Sequence, residues 1–313
     1  MDAKKVVPMR ATGVATGGAA GVQAPGGRWD GLHLDLLLAL DAAGDNLFRS
    51  RYGEDNRNGR VFGGQLLGQA LQAARAGVDP DRQPSALQVL FMNGAAVDRP
   101  VDYRVERMQE GKRFSSRRVH ASQDGRGVID AHASFAAPLA GNGHALPPPL
   151  SYPAPEDVLP MAELAARAGP RYAGIDWPVF EKPCLELRIV DPDHHLVGAS
   201  PAPRMAFWVK LRAPLGDDPA MHAAALAYLS DYWINSAAIT HHIPARDAHA
   251  ATYIASLNHA LWFHSAGRAE DWLLFACESP AMQQGRALSS ARIYARDGTL
   301  LASVMQECLF VPR

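Results

Sequence analysis

Asp231 is the one carboxylate in "LAYLSDYWINSAAI" (226–239), a run otherwise almost all apolar or small. On a helix its neighbours three and four residues away are Ala227, Tyr228, Ile234 and Asn235, so no rotation gives the segment a solvated face. The helix reads as buried. An ionised carboxylate inside a protein is costly unless hydrogen bonds or charges compensate it. Two uses answer that cost: a helix-interior Asp satisfied by a neighbouring donor, or a base that accepts a proton in a reaction.

Other groups with chemical capacity are less specific. His259 and His264 flank "ALWF", a strand pattern in which 259, 261 and 263 share one face and 260, 262 and 264 the other. That pattern favours packing and strand-edge hydrogen bonds over proton transfer. "ITHHIPARDAHA" brings His241, His242, Asp247 and His249 close in sequence, but it lacks HExxH or another metal spacing and reads as a solvated loop. Neither GxxxxGK[ST] nor GxGxxG occurs, so no glycine-rich phosphate loop is indicated.

These groups need a scaffold, and 313 residues with 48% hydrophobic and 20% charged side chains supply one. With 31 Lys and Arg against 32 Asp and Glu, the balance argues against nucleic acid or an anionic membrane as the main partner. Cys184, Cys277 and Cys308 form no CxxC pair, which indicates neither a disulfide framework nor a cysteine zinc site and fits a reducing cytoplasm. No apolar run approaches the roughly 18 residues of a membrane span. Residues 1–28 read as a disordered leader.

Helical patterns fall on "LHLDLLLALDAA" and on the residues after Gly63 and Gly64 in "RVFGGQLLGQALQAARAG", with a stop at Gly77. Strand patterns follow near 85–92, 101–108, 113–122 and 127–137, the last two joined through "QDGRG", a hairpin signal. A Pro-, Gly- and Ala-rich linker with one short helix covers 139–182. Beyond it strands near 184–191 and 204–212, the Asp231 helix, and strands near 251–264, 271–279, 286–296 and 299–310 repeat the order. "GKRFSSRRVHASQDG" from Gly111 and "GRALSSARIYARDG" from Gly285 share Gly, a basic residue, Ser-Ser, Arg, a β-branched residue and an Asp-Gly turn. Two units on one plan, 29–138 and 183–313, are expected, each an antiparallel sheet wrapped around its own helix.

With "NLFR" (46–49), "VFGGQLLGQAL" (61–71), "SFAAP" (134–138), "YLSD" (228–231), "SLNHALWFH" (256–264) and "LASVMQE" (301–307), the chain resembles the acyl-CoA thioesterase II family. The resemblance runs from residue 46 to the C-terminus. It implies an α+β protein of two fused hotdog domains that hydrolyses fatty acyl-CoA to free acid and CoA with no cofactor. The family's Asp, hydroxyl and Gln, which hold a water molecule, correspond to Asp231, Ser256 and Gln306. No GxSxG elbow surrounds Ser256, so it reads as a residue that positions water and not as a nucleophile. Gly63 and Gly64, at a helix start, are the expected donors to the developing oxyanion. Arg113, Arg117, Arg118, Arg286 and Arg292 are the expected contacts for the phosphates of CoA.

The family often has Asp where Asn258 stands and Arg where Ser265 stands, differences that bear on acyl-chain preference and CoA contacts. Two other readings of such a fold remain. One is hydration or dehydration of an acyl-CoA, for which "GDDPAMH" offers Asp217, Asp218 and His222. The other is a non-catalytic acyl-CoA-binding protein. The flanks of such sheets commonly associate, so a homodimer or homotetramer is an expected assembly.

Overall fold

Two stretches that are apolar or small almost all the way round become the central helices. The computed structural model describes residues 29–56, 59–167, 169–172, 175 and 182–313; the expected leader 1–28 and part of the linker lie outside the described residues. The first half runs α1 (Leu34–Leu38), β1 (Leu40–Gly44), β2 (Leu47–Ser50), α2 (Gly63–Arg75), β3 (Gln83–Phe91), β4 (Asp102–Glu110), β5 (Phe114–Gln123) and β6 (Arg126–Ala136). After a short α3 (Met161–Arg167) come β7 (Leu185–Ile189), β8 (Arg204–Leu211), α4 (Pro219–Ser230), α5 (Ser236–His242), α6 (Ala245–Ala251), β9 (Thr252–Phe263), β10 (Leu273–Gln283), β11 (Arg286–Ala295) and β12 (Leu300–Pro312).

The twelve strands among the described residues form one sheet in the order β1-β2-β4-β5-β6-β3-β9-β12-β11-β10-β8-β7. The second half repeats the strand order of the first in mirror sequence, and the halves join where β3 pairs antiparallel with β9, from Ala86 opposite Trp262 to Leu90 opposite Asn258. This is the double hotdog architecture. The hairpin expected at "QDGRG" turns on Asp124 and Gly125, both at positive φ (50° and 78°), which suits the twist of a two-residue β-turn. Gln284 and Gly285 (53° and 73°) do the same between β10 and β11.

The helices lie antiparallel in the core, α2 on β4, β5 and β6 and α4 along α2. Glycine sets their spacing. A Cβ at Gly64 would stand 2.3 Å from the Tyr228 carbonyl oxygen, and one at Gly68 2.8 Å from that of Ala224. The glutamines of "GGQLLGQAL" are wholly buried and tie α2 to its surroundings. Gln65 accepts from the Glu54 amide at 2.7 Å and donates to Tyr52 O at 2.7 Å. Gln69 accepts from the Tyr103 hydroxyl at 2.7 Å and donates to Leu37 O at 2.7 Å.

Three expectations need correction. "LHLDLLLALDAA" is helical only to Leu38, because Ala39 turns extended (φ −65°, ψ 140°) and the chain enters β1, paired with β2. The Asp231 helix ends at Ser230, so Asp231 is its C-cap and not an interior residue; Trp233 at φ 61° lies in the turn before α5. "ITHHIPARDAHA" is not a loop but two short helices, separated where Pro244 brings no N–H to continue α5.

Gly68→Ala forces apart two helices in van der Waals contact. It should cost about 1–3 kcal/mol of stability, read as a lowered thermal or urea midpoint.

Candidate active site

The C-terminal end of α4 meets the N-terminal end of α2, and Asp231 stands between them. As C-cap of α4 its charge faces the negative end of its own helix, an unfavourable position. The second residue of α2 offsets this, since the Gly64 N–H donates to the Asp231 carboxylate. Approach is close enough that a Cβ at Gly63 would stand 2.6 Å from Asp231 Oδ2.

The inner face of the sheet supplies the other donors. Gln306 on β12 is wholly buried, and its Nε2 donates to Asp231 Oδ1 at 2.8 Å and to Ser256 Oγ at 2.9 Å. Ser256 also hydrogen-bonds Asp231. Strict alternation along β9 would put Ser256 on the face opposite His259. However, Glu307 pairs with Asn258 and Cys308 with Ser256, leaving Leu257 as an extra residue. This bulge turns Ser256 inward, to the same side as His259.

Asp231 is half-buried, its carboxylate set among protein atoms. Burial pushes its pKa up to about 6, against the lowering pull of the Gln306 amide, the Lys182 charge, the Gly64 N–H and Ser256. Lys182 belongs to a clasp beside the site. Its ammonium pairs with Glu54 at 2.5 Å and lies 3.6 Å from the centre of the Phe62 ring, while the Tyr228 hydroxyl donates to Glu54 at 2.9 Å. The clasp ties the chain before α2 to α4 one turn ahead of Asp231.

Asp231, Ser256, Gln306, Gly63 and Gly64 thus converge. Gly64 is corrected as an oxyanion donor, because its amide is committed to Asp231; Gly63 stays partly exposed at the helix start. The arginines do not converge. Arg117 is corrected as a phosphate contact: its side chain is wholly buried and paired with Glu110. Arg118 is exposed and makes two bonds to Asp130, at 3.0 and 2.8 Å. Arg286 pairs with Glu307 at 3.2 Å, on the sheet face opposite Gln306. Arg292 lies against Tyr294, and Arg113 is exposed just before β5, where its carbonyl accepts from the Ala137 amide.

Asn258 points outward and donates to Glu307 at 2.8 Å. At the far end of α4, Asp218 caps the helix by accepting from the Ala220 amide at 3.0 Å, and His222 Nε2 bonds Gly216 O at 2.8 Å. Those residues therefore have structural roles away from Asp231. Among the described residues no cluster of three or more His, Cys, Asp or Glu is arranged to hold a metal ion. Sequence reasoning missed His259 and Ser230 as members of the site: His259 Nδ1 hydrogen-bonds Gln306 Oε1, and Ser230 Oγ lies 2.9 Å from His259 Nε2.

A cavity of about 480 Å³ lies between the first half of α4 and the sheet, lined by Pro84, Ala136, Ala223, Leu226 and Phe263 with Ser265 and Arg268 among the polar residues. Leu226 precedes Asp231 by five residues, about 7.5 Å of helix rise.

Residues 53–136 match the family model described as the acyl-CoA thioesterase N-terminal domain, and 155–310 match the C-terminal domain model. Acyl-coenzyme A thioesterase 8 of Mus musculus is 33% identical over 87% of this chain and 86% of its own length. Acyl-CoA thioesterase 2 of Haemophilus influenzae is 29% identical over 87% of this chain and 95% of its own. The crystal structure of an acyl-CoA thioesterase II from Mycobacterium marinum superposes with a TM-score of 0.72 at 30% identity, covering 90% of this chain and 97% of that one.

Because the pKa of Asp231 is raised on folding, between about pH 4 and pH 6 the native state holds a proton that the unfolded chain has lost. The charge therefore costs stability above about pH 6, and the cost fades as pH falls toward 4. Asp231→Asn removes it. The stability of the variant relative to wild type should improve by about 2 kcal/mol between pH 4 and pH 8, measured by urea unfolding across that range.

Proposed function

The chain belongs to the acyl-CoA thioesterase II family and is an acyl-CoA thioester hydrolase, and from that premise we propose that Asp231, Ser256 and Gln306 hold and activate the attacking water. The observation that carries this reading is the single Gln306 amide bridging Asp231 at 2.8 Å and Ser256 at 2.9 Å. A water there donates one hydrogen to Asp231 and is oriented by the Ser256 hydroxyl. Its oxygen attacks the thioester carbonyl as Asp231 takes the proton. The oxyanion is stabilised by the Gly63 amide at the start of α2. When the tetrahedral intermediate collapses the C–S bond breaks, and the proton on Asp231 passes to the leaving sulfur, giving free acid and CoA thiol.

Positioning supplies much of the rate, since thioesters are electrophilic enough for activated water. The raised pKa makes Asp231 a stronger base than an exposed carboxylate while leaving it mostly ionised at neutral pH. The substrate class we assign is fatty acyl-CoA, the acyl chain running from Asp231 along α4 into the cavity at Ala223 and Leu226. Exposed Arg113 is the retained candidate for the CoA phosphates. We take 29–138 and 183–313 as the two hotdog units, with 139–182 as linker.

The three buried, unpaired cysteines support a reducing cytoplasm as its location. No helix among the described residues is long and apolar enough to cross a membrane. Near-zero net charge supports a small-molecule partner over nucleic acid, and self-association into dimers or tetramers would use the sheet flanks.

With a panel of straight-chain acyl-CoAs and a thiol reagent trapping released CoA, wild type should turn over. Asp231→Asn should lose about 10²- to 10⁴-fold in kcat while remaining folded. Undiminished turnover by that variant would sink the mechanism. On the same panel Ala223→Phe, which fills the cavity, should move the preference toward shorter chains; an unchanged profile would place the acyl chain elsewhere.

A further inference from the structure

Gln306 has two amide hydrogens and one carbonyl oxygen, and all three are committed. The hydrogens go to Asp231 and Ser256, and Oε1 faces His259 Nδ1. A carbonyl oxygen only accepts, so Nδ1 must carry a hydrogen. His259 is almost wholly buried, and burial pushes its pKa down to about 4, so the ring is neutral and its Nε2 is an acceptor. The donor available there is the wholly buried Ser230, whose Oγ lies 2.9 Å from Nε2 and 2.7 Å from the Ala227 carbonyl oxygen. Both are acceptors and the hydroxyl has one proton, so Ser230 donates to Nε2 only when it is turned away from the Ala227 carbonyl.

The two orientations of an amide side chain are nearly identical in shape, so packing alone does not choose between them. Reversed, Gln306 would set its carbonyl oxygen 2.8 Å from the Asp231 carboxylate, two acceptors with no proton between them. Reversal would also need a bare Nδ1 and a hydrogen on Nε2. We propose that His259, with Ser230 held at its Nε2, is a positioning residue for the hydrolysis, its Nδ1–H donating to Oε1 and so locking the Gln306 NH₂ toward Asp231 and Ser256. This rests on the water-holding reading of Asp231, Ser256 and Gln306. Ser230 adjoins Asp231 in sequence, so one helix end supplies both the base and the start of the chain that orients its partner.

The test is a double-mutant cycle in steady-state kinetics. His259→Phe, which keeps bulk but loses the donor, should lower kcat by about 100-fold with KM within about twofold, as misplacement of a reacting group does. His259→Asn, whose amide N–H stands near the Nδ1 position, should recover about 10-fold of that loss. In a Gln306→Ala background His259→Phe should cost no more than about twofold, because its effect passes through Gln306. If His259→Phe does not fold, Ser230→Ala takes its place in the cycle, with a smaller loss in the wild-type background and none beside Gln306→Ala. Equal, multiplying losses in both backgrounds, or a folded His259→Phe with wild-type kcat, would overturn the positioning role alone. Wild-type kcat in Gln306→Ala itself would overturn the water-holding reading and this inference with it.

Discussion

The contact between the N-terminus of α2 and the C-terminus of α4 is the constraint on which the rest of the site depends. A carboxylate at a helix C-cap is repelled by the carbonyls behind it. Asp231 is tolerated there because Gln306 and the Lys182 charge offset that repulsion together with the Gly64 N–H that a second helix brings to the same point. That requires backbone at near-contact distance, hence Gly63, Gly64 and Gly68, where a Cβ would meet Asp231 Oδ2, Tyr228 O and Ala224 O. The Lys182–Glu54–Tyr228 clasp beside the site and the buried Gln65 and Gln69 hold the geometry. The glycines and glutamines of "GGQLLGQAL" therefore serve mainly the placement of a residue over 150 positions away in sequence.

The acidity of Asp231 is the balance of this arrangement. Burial alone would hold the carboxyl neutral and useless as a base at neutral pH. Gln306, the Lys182 charge, Gly64 and Ser256 together bring it back to about 6. Stronger compensation would make it a poorer proton acceptor, and weaker compensation would leave it protonated. The structure thus has to aim each donor and also limit their number, which makes the orientation of one amide matter.

Much of this was legible in the sequence, for identifiable reasons. Long strands with alternating burial, two helices without a polar face and the repeat around Ser115 and Ser289 all leave local patterns, and the observed strand limits fall close to the expected ones. Asp231 declared itself by its apolar surroundings. Where the pattern was a long-range matter it failed. The end of α1 at Leu38 is set by pairing of β1 with β2. The inward turn of Ser256 depends on an extra residue at Leu257, visible only in register with β12, and simple alternation assigns the wrong face. His259 looked like a packing residue because its partner Gln306 lies 47 residues further along. Arg117 looked like an exposed strand Arg until the fold placed it inside, against Glu110.

The duplication sets the two helix junctions of the described residues side by side. By the repeat, Ser115 corresponds to Ser289; across the sheet Ser115 faces Phe135 and Phe135 faces Pro84, where Ser289 faces Gln306 and Gln306 faces His259. The C-cap of α2 is Ala76, where that of α4 is Asp231. The twin position therefore carries Ala76, Phe135 and Pro84 in place of Asp231, Gln306 and His259. No carboxylate there corresponds to Asp231 and no amide to Gln306; the nearby Glu110 accepts from Ser115 Oγ at 2.6 Å and is paired with Arg82 and Arg117. Pro84 lines the 480 Å³ cavity at the start of α4. The same architecture, read twice, makes a polar centre at the C-terminal end of α4 and leaves a partly apolar cavity beside its first half. An acyl-CoA thioester hydrolase has use for both.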